Sequence, residues 1–234
     1  WRKKRERLVP SASSFFRYLS AFSIDDEEKR KRGYGQAFIP EPSQGLLGLE
    51  SVNRQLIAAI QRKVPETHAT LDIDATLKET QKRDALVSYK GFAAYQPLQV
   101  WWDEAELIVK SEFRDGNVPA NFENLRVLRE ALRSLPEGVR SVSVRSAAAA
   151  YQRELLKYLA EGRDERFGKI HFAISAPLET ALKTEVAALE EDDWQPLLIQ
   201  DKKTGEWKKS AYEWAEVVFV PNWEIGRASC RERG

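Results

Sequence analysis

Hydrophobic positions along the chain follow two periods, and these periods separate helical from extended stretches. Where apolar side chains recur every three or four residues, the pattern predicts amphipathic helices. These stretches are residues 11–22, 51–63, 121–135, 151–160 and 178–189. Where apolar and polar residues alternate, the pattern predicts strands. These stretches are residues 67–76, 92–102, 107–113, 139–146 and 169–176.

The order of these elements indicates a fold class. From residue 67 the predicted order is β-β-β-α-β-α-β-α. Three early strands can form an antiparallel meander, and two later strands, each reached through a helix, add in parallel by right-handed crossovers. This order predicts an α/β protein with the mixed sheet of the ribonuclease-H-like fold, although other α/β folds can share it.

The same pattern divides the chain into regions. We expect a small helical, DNA-binding region over residues 1–66, in which the Gly- and Pro-rich stretch 33–48 forms no regular element. The ribonuclease-H-like core is predicted over residues 67–191, and the start of a β-rich insertion over 192–223. A Lys203-Thr204-Gly205-Glu206 turn predicts a hairpin in that insertion.

Composition changes this picture little. The 234 residues are 42% hydrophobic, which is ample for a sizeable core, and 37 Lys and Arg nearly balance 36 Asp and Glu. A basic run over residues 1–7 and an acidic-then-basic run over 25–32 are either solvated surface or patches that face DNA. No apolar run reaches the ~18 residues of a membrane span. The single cysteine, Cys230, excludes an intrachain disulfide framework, and we expect a cytoplasmic protein.

Both ends of the sequence depart from those of an ordinary protein. The chain begins at Trp1 and contains no methionine, so we expect a fragment. Residues 224–234 resemble the translation of a common short-read sequencing adapter, with an ordinary polar tail as the alternative. We therefore leave this segment out of the reasoning on fold and function.

Two carboxylates stand two residues apart on the first predicted strand. Asp72 and Asp74 therefore point to one face, with Leu71 and Ile73 on the opposite face. Because burying unpaired carboxylates is costly, their face must meet water, cations or a metal. Mg²⁺ suits such a place, since it prefers hard oxygen ligands and keeps waters that a substrate phosphate can replace. The alternative is that the pair is merely solvated.

Other candidate site residues carry weaker signals. His68 and His171 lack partners at metal-ligand spacing, and we interpret them as structural or solvated. The turn over 114–117 is explained by turn geometry alone, and Asp115 is kept as an outside candidate for the rim of the site. Basic residues that could contact phosphates, or could be plain surface charges, are Lys90, Arg114, Arg126, Arg129, Arg133, Arg140 and Arg145. Aromatic residues interpreted as core, with base stacking as the alternative, are Tyr95, Trp101 and Trp102.

Several strings, in order along the chain, resemble a DDE-type insertion-sequence transposase of the branch called DDE group 1. The longest are residues 67–76, Lys90-Gly91-Phe92-Ala93-Ala94-Tyr95-Gln96-Pro97-Leu98, and Ser111-Glu112-Phe113-Arg114-Asp115-Gly116-Asn117-Val118-Pro119-Ala120. Shorter ones are Pro10-Ser11-Ala12, Ala37-Phe38-Ile39-Pro40, residues 48–54, Leu135-Pro136-Glu137-Gly138-Val139 and Glu165-Arg166-Phe167-Gly168. Each string alone is weak, but together they cover nearly everything from residue 10 to 223.

The resemblance implies a reaction and its residues. Such enzymes bind the inverted repeats at the ends of a mobile element and join them to target DNA with an Asp-Asp-Glu triad and two Mg²⁺ ions. Asp74-Ala75-Thr76 fits the first Asp, and Asp72 could assist it. The second Asp belongs in a string like Arg-Ser-Asp-Thr-Ala-Gly-Tyr, which reads Arg145-Ser146-Ala147-Ala148-Ala149-Ala150-Tyr151 here. Ala147 therefore stands at the position of the second Asp, and the third carboxylate would lie beyond Trp223.

We accordingly expect a member of this family that binds Mg²⁺ weakly and does not catalyse. The implied partners are element-end and target DNA, with a homodimer left open and no membrane. The implied location is the nucleoid of a prokaryotic cytoplasm. The alternatives are a DNA-binding copy that dampens transposition, a gene remnant without a role, and a different metal-dependent nuclease on the same fold.

Overall fold

The computed structural model describes residues 11–20, 22, 37–201, 204–219 and 228–230. Two compact units divide the chain, Trp1–Arg145 and Ser146–Gly234. The two charged runs singled out in the sequence, residues 1–7 and 25–32, lie outside the described residues.

The first unit holds most of the predicted helices and strands. Its elements are α1 (Ala12–Ser20), α2 (Gln44–Lys63), β1 (His68–Ala75), β2 (Lys78–Glu79), β3 (Ala94–Tyr95), β4 (Leu98–Trp102), β5 (Leu107–Glu112), α3 (Asn124–Ser134) and β6 (Ser141–Ser146), the last residue of which begins the second unit. The predicted strand over 92–102 is divided at Gln96 and Pro97, because proline has no N–H to donate to a ladder.

The second unit continues with shorter elements. They are a 3₁₀ turn (Ala148–Ala150), α4 (Arg153–Ala160), β7 (His171–Ile174), α5 (Thr180–Ala187), a 3₁₀ turn (Glu191–Asp193), β8 (Gln195–Gln200), β9 (Trp207–Trp214), β10 (Val217–Phe219) and β11 (Ala228–Cys230). The predicted hairpin is confirmed, since β8 and β9 pair antiparallel and Gly205 takes a left-handed φ of 73° in the turn. The strand β11 pairs with β10, and the adapter origin of residues 224–234 stays a prediction.

Among the described residues, five strands form one mixed sheet in the order β5-β4-β1-β6-β7. β1 pairs antiparallel with β4, and β4 with β5, as the predicted meander requires. β6 runs in the direction of β1. Just before the two strands begin, Arg140 donates its backbone N–H to the Thr67 carbonyl at 2.8 Å. Near the C-terminal ends of the strands, the Arg145 side chain donates a hydrogen bond to the Asp72 carboxylate. The mixed α/β sheet is thereby confirmed, while the ribonuclease-H-like identification stays a prediction.

Helix α2 begins earlier than the sequence indicated. We predicted no regular element up to residue 48, but the helix starts at Gln44. Ser43 caps it by accepting the Leu46 N–H at 3.2 Å, which satisfies one of the free donors of the first turn. This cap, together with eighteen further helical residues, outweighs the two glycines of the first turns, Gly45 and Gly48, which cost roughly 1 kcal/mol each relative to alanine.

One face of the first unit's sheet is buried beneath helices. In β1 the alternate residues Ala69, Leu71 and Ile73 are at most 3% exposed. Both α2 and α3 pack on β5, and α3 buries Val127 and Leu128. The opposite face of β1 carries the two candidate carboxylates, so the hydrophobic alternation alone decides which side chains are left for chemistry.

The second unit has hydrophobic contacts of its own. Leu155, Leu156 and Leu159 of α4 are fully buried, and Leu182 of α5 packs with Val217 of β10. None of the described helices is long and apolar enough to cross a membrane.

Candidate functional site

The two candidate carboxylates share one face of β1, as predicted. Leu71 and Ile73 are buried on the opposite face, while Asp72 is half-buried and Asp74 is exposed. In the antiparallel ladder Asp74 lies opposite Gln99, and Gln99 lies opposite Ser111. On this side of Asp74 the cross-strand row therefore continues with an amide on β4 and then a hydroxyl on β5, which can hydrogen-bond a polar ligand but add no charge.

Asp72 is held by an arginine from the neighbouring strand. The Arg145 Nε atom donates to Asp72 Oδ1 at 2.6 Å, and Nη2 donates to Oδ2 at 2.6 Å. The same Nη2 lies 3.0 Å from Asp103 Oδ2. The hydrogen bonds to Asp72 raise the pKa of Arg145 above its ordinary value. This bidentate pair engages both oxygens of Asp72, so the cation that this carboxylate meets is a guanidinium.

Asp74 has a much lighter set of contacts. The Thr76 hydroxyl donates to Asp74 Oδ2 at 3.2 Å, which is a long hydrogen bond. The Asp74 side chain is otherwise directed to solvent, where it can accept hydrogen bonds or meet a cation. Of the two predicted carboxylates, Asp74 is therefore the one left available for a ligand.

Ala147 opens the turn that follows β6. Its backbone is extended, and it precedes the 3₁₀ turn Ala148–Ala150 without a side-chain cap. A methyl group offers no oxygen to a metal ion. Within the described ranges, no group of three or more His, Cys, Asp and Glu side chains could hold a metal. With Asp72 engaged by Arg145, the donors present do not fit a two-metal centre.

Each of the two histidines interpreted as structural or solvated is the first residue of a strand. The His68 Nδ1 atom is 2.8 Å from the Ser141 hydroxyl, between the first residues of β1 and β6. His171 is exposed on β7. Neither contact resembles a metal ligand set, which needs further donors converging on one point.

Residues 114–116 of the turn over 114–117 are buried, and Asp115 was only an outside candidate for the rim of the site. Arg114 is 1% and Asp115 2% exposed. Asp115 Oδ1 accepts the Leu86 N–H at 3.4 Å, and Gly116 donates its N–H to the Ala94 carbonyl at 2.8 Å. The turn therefore ties the segment before β3 to the end of β5. Both alternatives for Arg114, a phosphate contact and a plain surface charge, are wrong because its side chain is enclosed.

A network of ion pairs surrounds that buried arginine. The Arg114 Nε atom donates to Glu112 Oε1 at 2.8 Å, and Arg126 of α3 donates to Glu112 Oε2 at 2.6 Å. Burial lowers the pKa of Arg114, and Glu112 acts in the opposite direction. Burial also opposes the charge of Arg126, but hydrogen bonds to Glu112 and Glu123 outweigh it and raise the pKa of Arg126. Arg126, which the sequence left open as a phosphate contact or a plain surface charge, is paired with these glutamates.

The network continues across β5 to α2. Lys110 lies 2.9 Å from Glu130 of α3 and is hydrogen-bonded to Glu50 of α2. Burial lowers the pKa of Lys110, but these two partners outweigh it and the net shift is upward. Burial likewise raises the pKa of Glu130, and hydrogen bonds from Lys110 and Arg126 shift it below its ordinary value. The helices that cover the sheet are thus fixed to β5 by charge as well as by apolar packing.

The aromatic candidates separate by exposure. Trp102 is 1% exposed, which confirms it as a core residue, while Trp101 and Tyr95 are half-buried. The Tyr95 ring lies 4.8 Å from the ring of Phe113, at an interplanar angle of 51°. Phe113, one residue past β5, is 58% exposed and was not among the candidates from the sequence, although its alternation with Glu112 and Arg114 could have placed it on the open face.

Comparison with known proteins gives a family. The family described as Transposase DDE domain group 1 matches residues 2–220. No curated protein sequence matches the chain. The Drosophila P element transposase strand transfer complex is similar at 14% identity and a TM-score of 0.30, over 71% of this chain and 35% of that chain. The piggyBac transposase synaptic complex with hairpin DNA is similar at 13% identity and a TM-score of 0.37, over 98% and 54%.

The chain thus spans about a third to a half of the length of those two transposase chains. Because the TM-scores of both structures are low, the family is assigned from the family match alone. Since that match extends over nearly all of the sequence, this protein belongs to the transposase family of DDE domain group 1.

Proposed function

We propose that this protein binds DNA as a member of its transposase family and does not itself cleave or join strands. The family reaction is metal-dependent cleavage and joining of DNA at the ends of an insertion sequence. Asp74 takes the place of the first carboxylate of the family, and Ala147 stands where the second belongs. The observation that supports loss of catalysis is the state of the acidic residues on β1, because Asp72 is committed to Arg145 and only Asp74 remains.

A single exposed carboxylate is a poor magnesium site. Mg²⁺ keeps most of its waters and is bound in proteins through one or two carboxylates together with substrate phosphates. Stabilising both the attacking and the leaving oxygen requires two metal ions held by several ligands. With Asp72 clamped and a methyl group at 147, we expect Mg²⁺ to bind this chain in the millimolar range or more weakly.

The bidentate pair of Arg145 with Asp72 acts as a clamp on that carboxylate, and removing this clamp should strengthen the binding of Mg²⁺. An Arg145→Met substitution takes a positive charge away from Asp72 and frees that carboxylate, so that Asp72 and Asp74 are both available on one strand face, which should strengthen Mg²⁺ binding roughly tenfold. Because the Arg145 and Asp72 side chains are 47% and 35% exposed, stability should change by less than about 1 kcal/mol. Isothermal titration with Mg²⁺ measures the first effect, and a urea melt measures the second.

The matched control is the double variant Arg145→Met with Asp72→Asn. If Asp72 supplies the additional ligand, the gain in Mg²⁺ affinity disappears in the double variant. A gain that persists there would assign the effect to general charge and would contradict this account of the clamp.

The proposed DNA binding is supported by exposed cations in β2 and in the segment between β2 and β3. Lys78, Lys82, Arg83 and Lys90 are exposed there, and within the described ranges none of them forms an ion pair. Cations of this kind bind phosphates without reading sequence, and they make affinity fall as salt is added. A regulatory copy that occupies element ends needs this capacity and needs no metal centre.

The first test is a salt titration of duplex binding. The logarithm of the binding constant should fall linearly with the logarithm of salt concentration, and a Lys82→Gln, Arg83→Gln double variant should flatten the slope by about two. Lys208→Gln is the matched control, since Lys208 is paired with Asp201 at 2.9 Å in the second unit. Absence of binding at low salt would contradict the proposal.

The same duplex tests catalysis. A fragment that carries the ends of the element, taken from the DNA flanking the gene, should remain uncut by this chain in 10 mM Mg²⁺. Strand cleavage in Mg²⁺ that disappears in an Asp74→Asn variant would show an active enzyme and would overturn the proposed inactivity.

A further inference from the structure

The face that carries Asp74 extends beyond the last residue of β1. Thr76 donates its N–H to the Pro97 carbonyl at 3.1 Å, and Lys78 then pairs with Tyr95. The β4–β5 ladder continues likewise, because Gln96 donates its N–H to the Arg114 carbonyl at 2.8 Å and Tyr95 forms a bridge with Asp115.

Because this register is unbroken, one face of the sheet carries three cross-strand rows. The first row is Asp74 with Gln99 and Ser111, the second is Thr76 with Pro97 and Phe113, and the third is Lys78 with Tyr95 and Asp115.

An aromatic pair occupies the second and third of these rows. Phe113 and Tyr95 lie diagonally across neighbouring strands, with ring centroids 4.8 Å apart. Phe113 remains 58% exposed, on a face that also carries the polar or charged residues Asp74, Thr76 and Lys78. Single exposed apolar residues are common on protein surfaces, so exposure alone indicates nothing. Phe113 differs from such residues because the backbone on both sides of it is held in place.

The residues on both sides of Phe113 are fixed. Glu112 and Arg114 point to the opposite face and are bonded to each other, and the next residues, Asp115 and Gly116, are buried in the turn. The Phe113 backbone can therefore move little, and Tyr95 limits the ring on one side. A ring that is already immobilised loses little conformational entropy when a flat partner stacks on it.

The surroundings of the pair suit a nucleotide. Lys78 lies directly opposite Tyr95, so a cation is available for a phosphate beside the rings, and Lys82 and Arg83 are exposed further along the chain. By sheet spacings, Phe113 lies two strands and one row from Asp74, or about 12 Å. That distance corresponds to roughly three steps of a DNA strand at a rise of ~3.4 Å.

We propose that Phe113 and Tyr95 form a stacking platform for an unpaired base of a DNA strand that runs past Asp74. This inference rests on the proposed DNA binding and specifies its substrate class, namely DNA with a single-stranded or frayed end. Base pairs inside a duplex are stacked on each other and offer no free face, whereas an unpaired base does.

The experiment compares two DNA probes with the full chain. One is a blunt 20-base-pair duplex, and the other carries a six-nucleotide single-stranded tail with 2-aminopurine at its third position. The tailed probe should bind more tightly than the blunt one and change its fluorescence on binding. Phe113→Ala should weaken binding of the tailed probe roughly tenfold, change blunt-duplex binding less than twofold, and abolish the fluorescence change.

Two further variants separate stacking from general hydrophobicity. Phe113→Tyr keeps an aromatic ring and should behave like the unchanged chain, while Phe113→Leu should behave like Phe113→Ala. The matched control is Tyr212→Ala, because Tyr212 is an aromatic residue of similar exposure, 53%, on β9 of the second unit. A thermal melt of each variant shows that it is folded, which the exposure of Phe113 leads us to expect.

The outcomes distinguish this inference from the proposed function. If the unchanged chain binds the blunt duplex with a salt dependence but gains nothing from the tail, the stacking platform is refuted and DNA binding stands. If Phe113→Leu matches the unchanged chain, the platform is also refuted. If neither probe binds at low salt, the proposed function fails as well.

Discussion

A Glu112→Gln substitution should lower the free energy of unfolding of this protein by about 3–5 kcal/mol, which is the usual cost of leaving a buried charge without its partner. Glu112 is the carboxylate that faces Arg114, and the Arg114 side chain has no exposed surface while that of Glu112 has 10%. Within the described part of the chain, Arg114 Nη1 has no hydrogen-bond partner, so Glu112 provides the main compensation for this charge. A urea unfolding curve followed by circular dichroism measures the loss.

A matched control for this prediction is Glu123→Gln, a substitution in the same network of ion pairs. Glu123 also pairs with Arg126, at 2.7 Å, but the two side chains are 46% and 37% exposed. Solvent screens such a pair, and its removal should cost less than about 1 kcal/mol. Equal losses for the two variants would show that burial does not decide the strength of these pairs, and would contradict the role assigned to Glu112.

A Gly116→Ala substitution should cost about 3 kcal/mol, at the upper end of what overpacking usually costs. A Cβ atom at Gly116 would lie 2.7 Å from the Ala94 carbonyl oxygen and 2.8 Å from that of Leu86. Neither oxygen is free to move, because Ala94 accepts the Gly116 N–H and Leu86 accepts the Ala94 N–H. The added methyl group must therefore break part of the contact between the turn over 114–117 and the segment before β3.

Gly48→Ala is the matched control within the same unit. A Cβ atom at Gly48 meets nothing within 4 Å, and the residue lies inside α2. Alanine is the better helix former, so this variant should gain roughly 1 kcal/mol. Opposite signs for the two glycines, measured by the same urea melts, are the expected result, and a neutral Gly116→Ala would show that the turn is looser than its hydrogen bonds to Ala94 and Leu86 indicate.

The alternation of side chains was sufficient to predict the sheet and its open face. Strands with a buried face have little freedom of register, so Leu71 and Ile73 determine where Asp72 and Asp74 point. The helices α3, α4 and α5 were predicted for the corresponding reason, since their apolar residues recur at helical spacing. Their bounds shifted by only a few residues, as caps and neighbouring loops adjusted the ends.

The pairing of polar residues could not be predicted in the same way. Arg145 follows Asp72 by 73 residues, and only the adjacency of β1 and β6 brings the two together. The burial of Arg114 likewise depends on α3, which supplies Arg126 to the same glutamate. A long, charged side chain has the same local pattern whether it ends in water or against a distant carboxylate, so these contacts require the tertiary structure.

The alternation of side chains over residues 111–114, at the end of β5 and just past it, limits which insertions and deletions the protein can tolerate. Ser111 and Phe113 point to the open face, and Glu112 and Arg114 to the helices, so each successive codon serves the opposite side. Deleting or inserting one codon here would place the ring among the ion pairs and the guanidinium in water. Substitutions at these positions can be compensated one at a time, whereas a change of length cannot, and we expect relatives to keep the length of this stretch even where its residues differ.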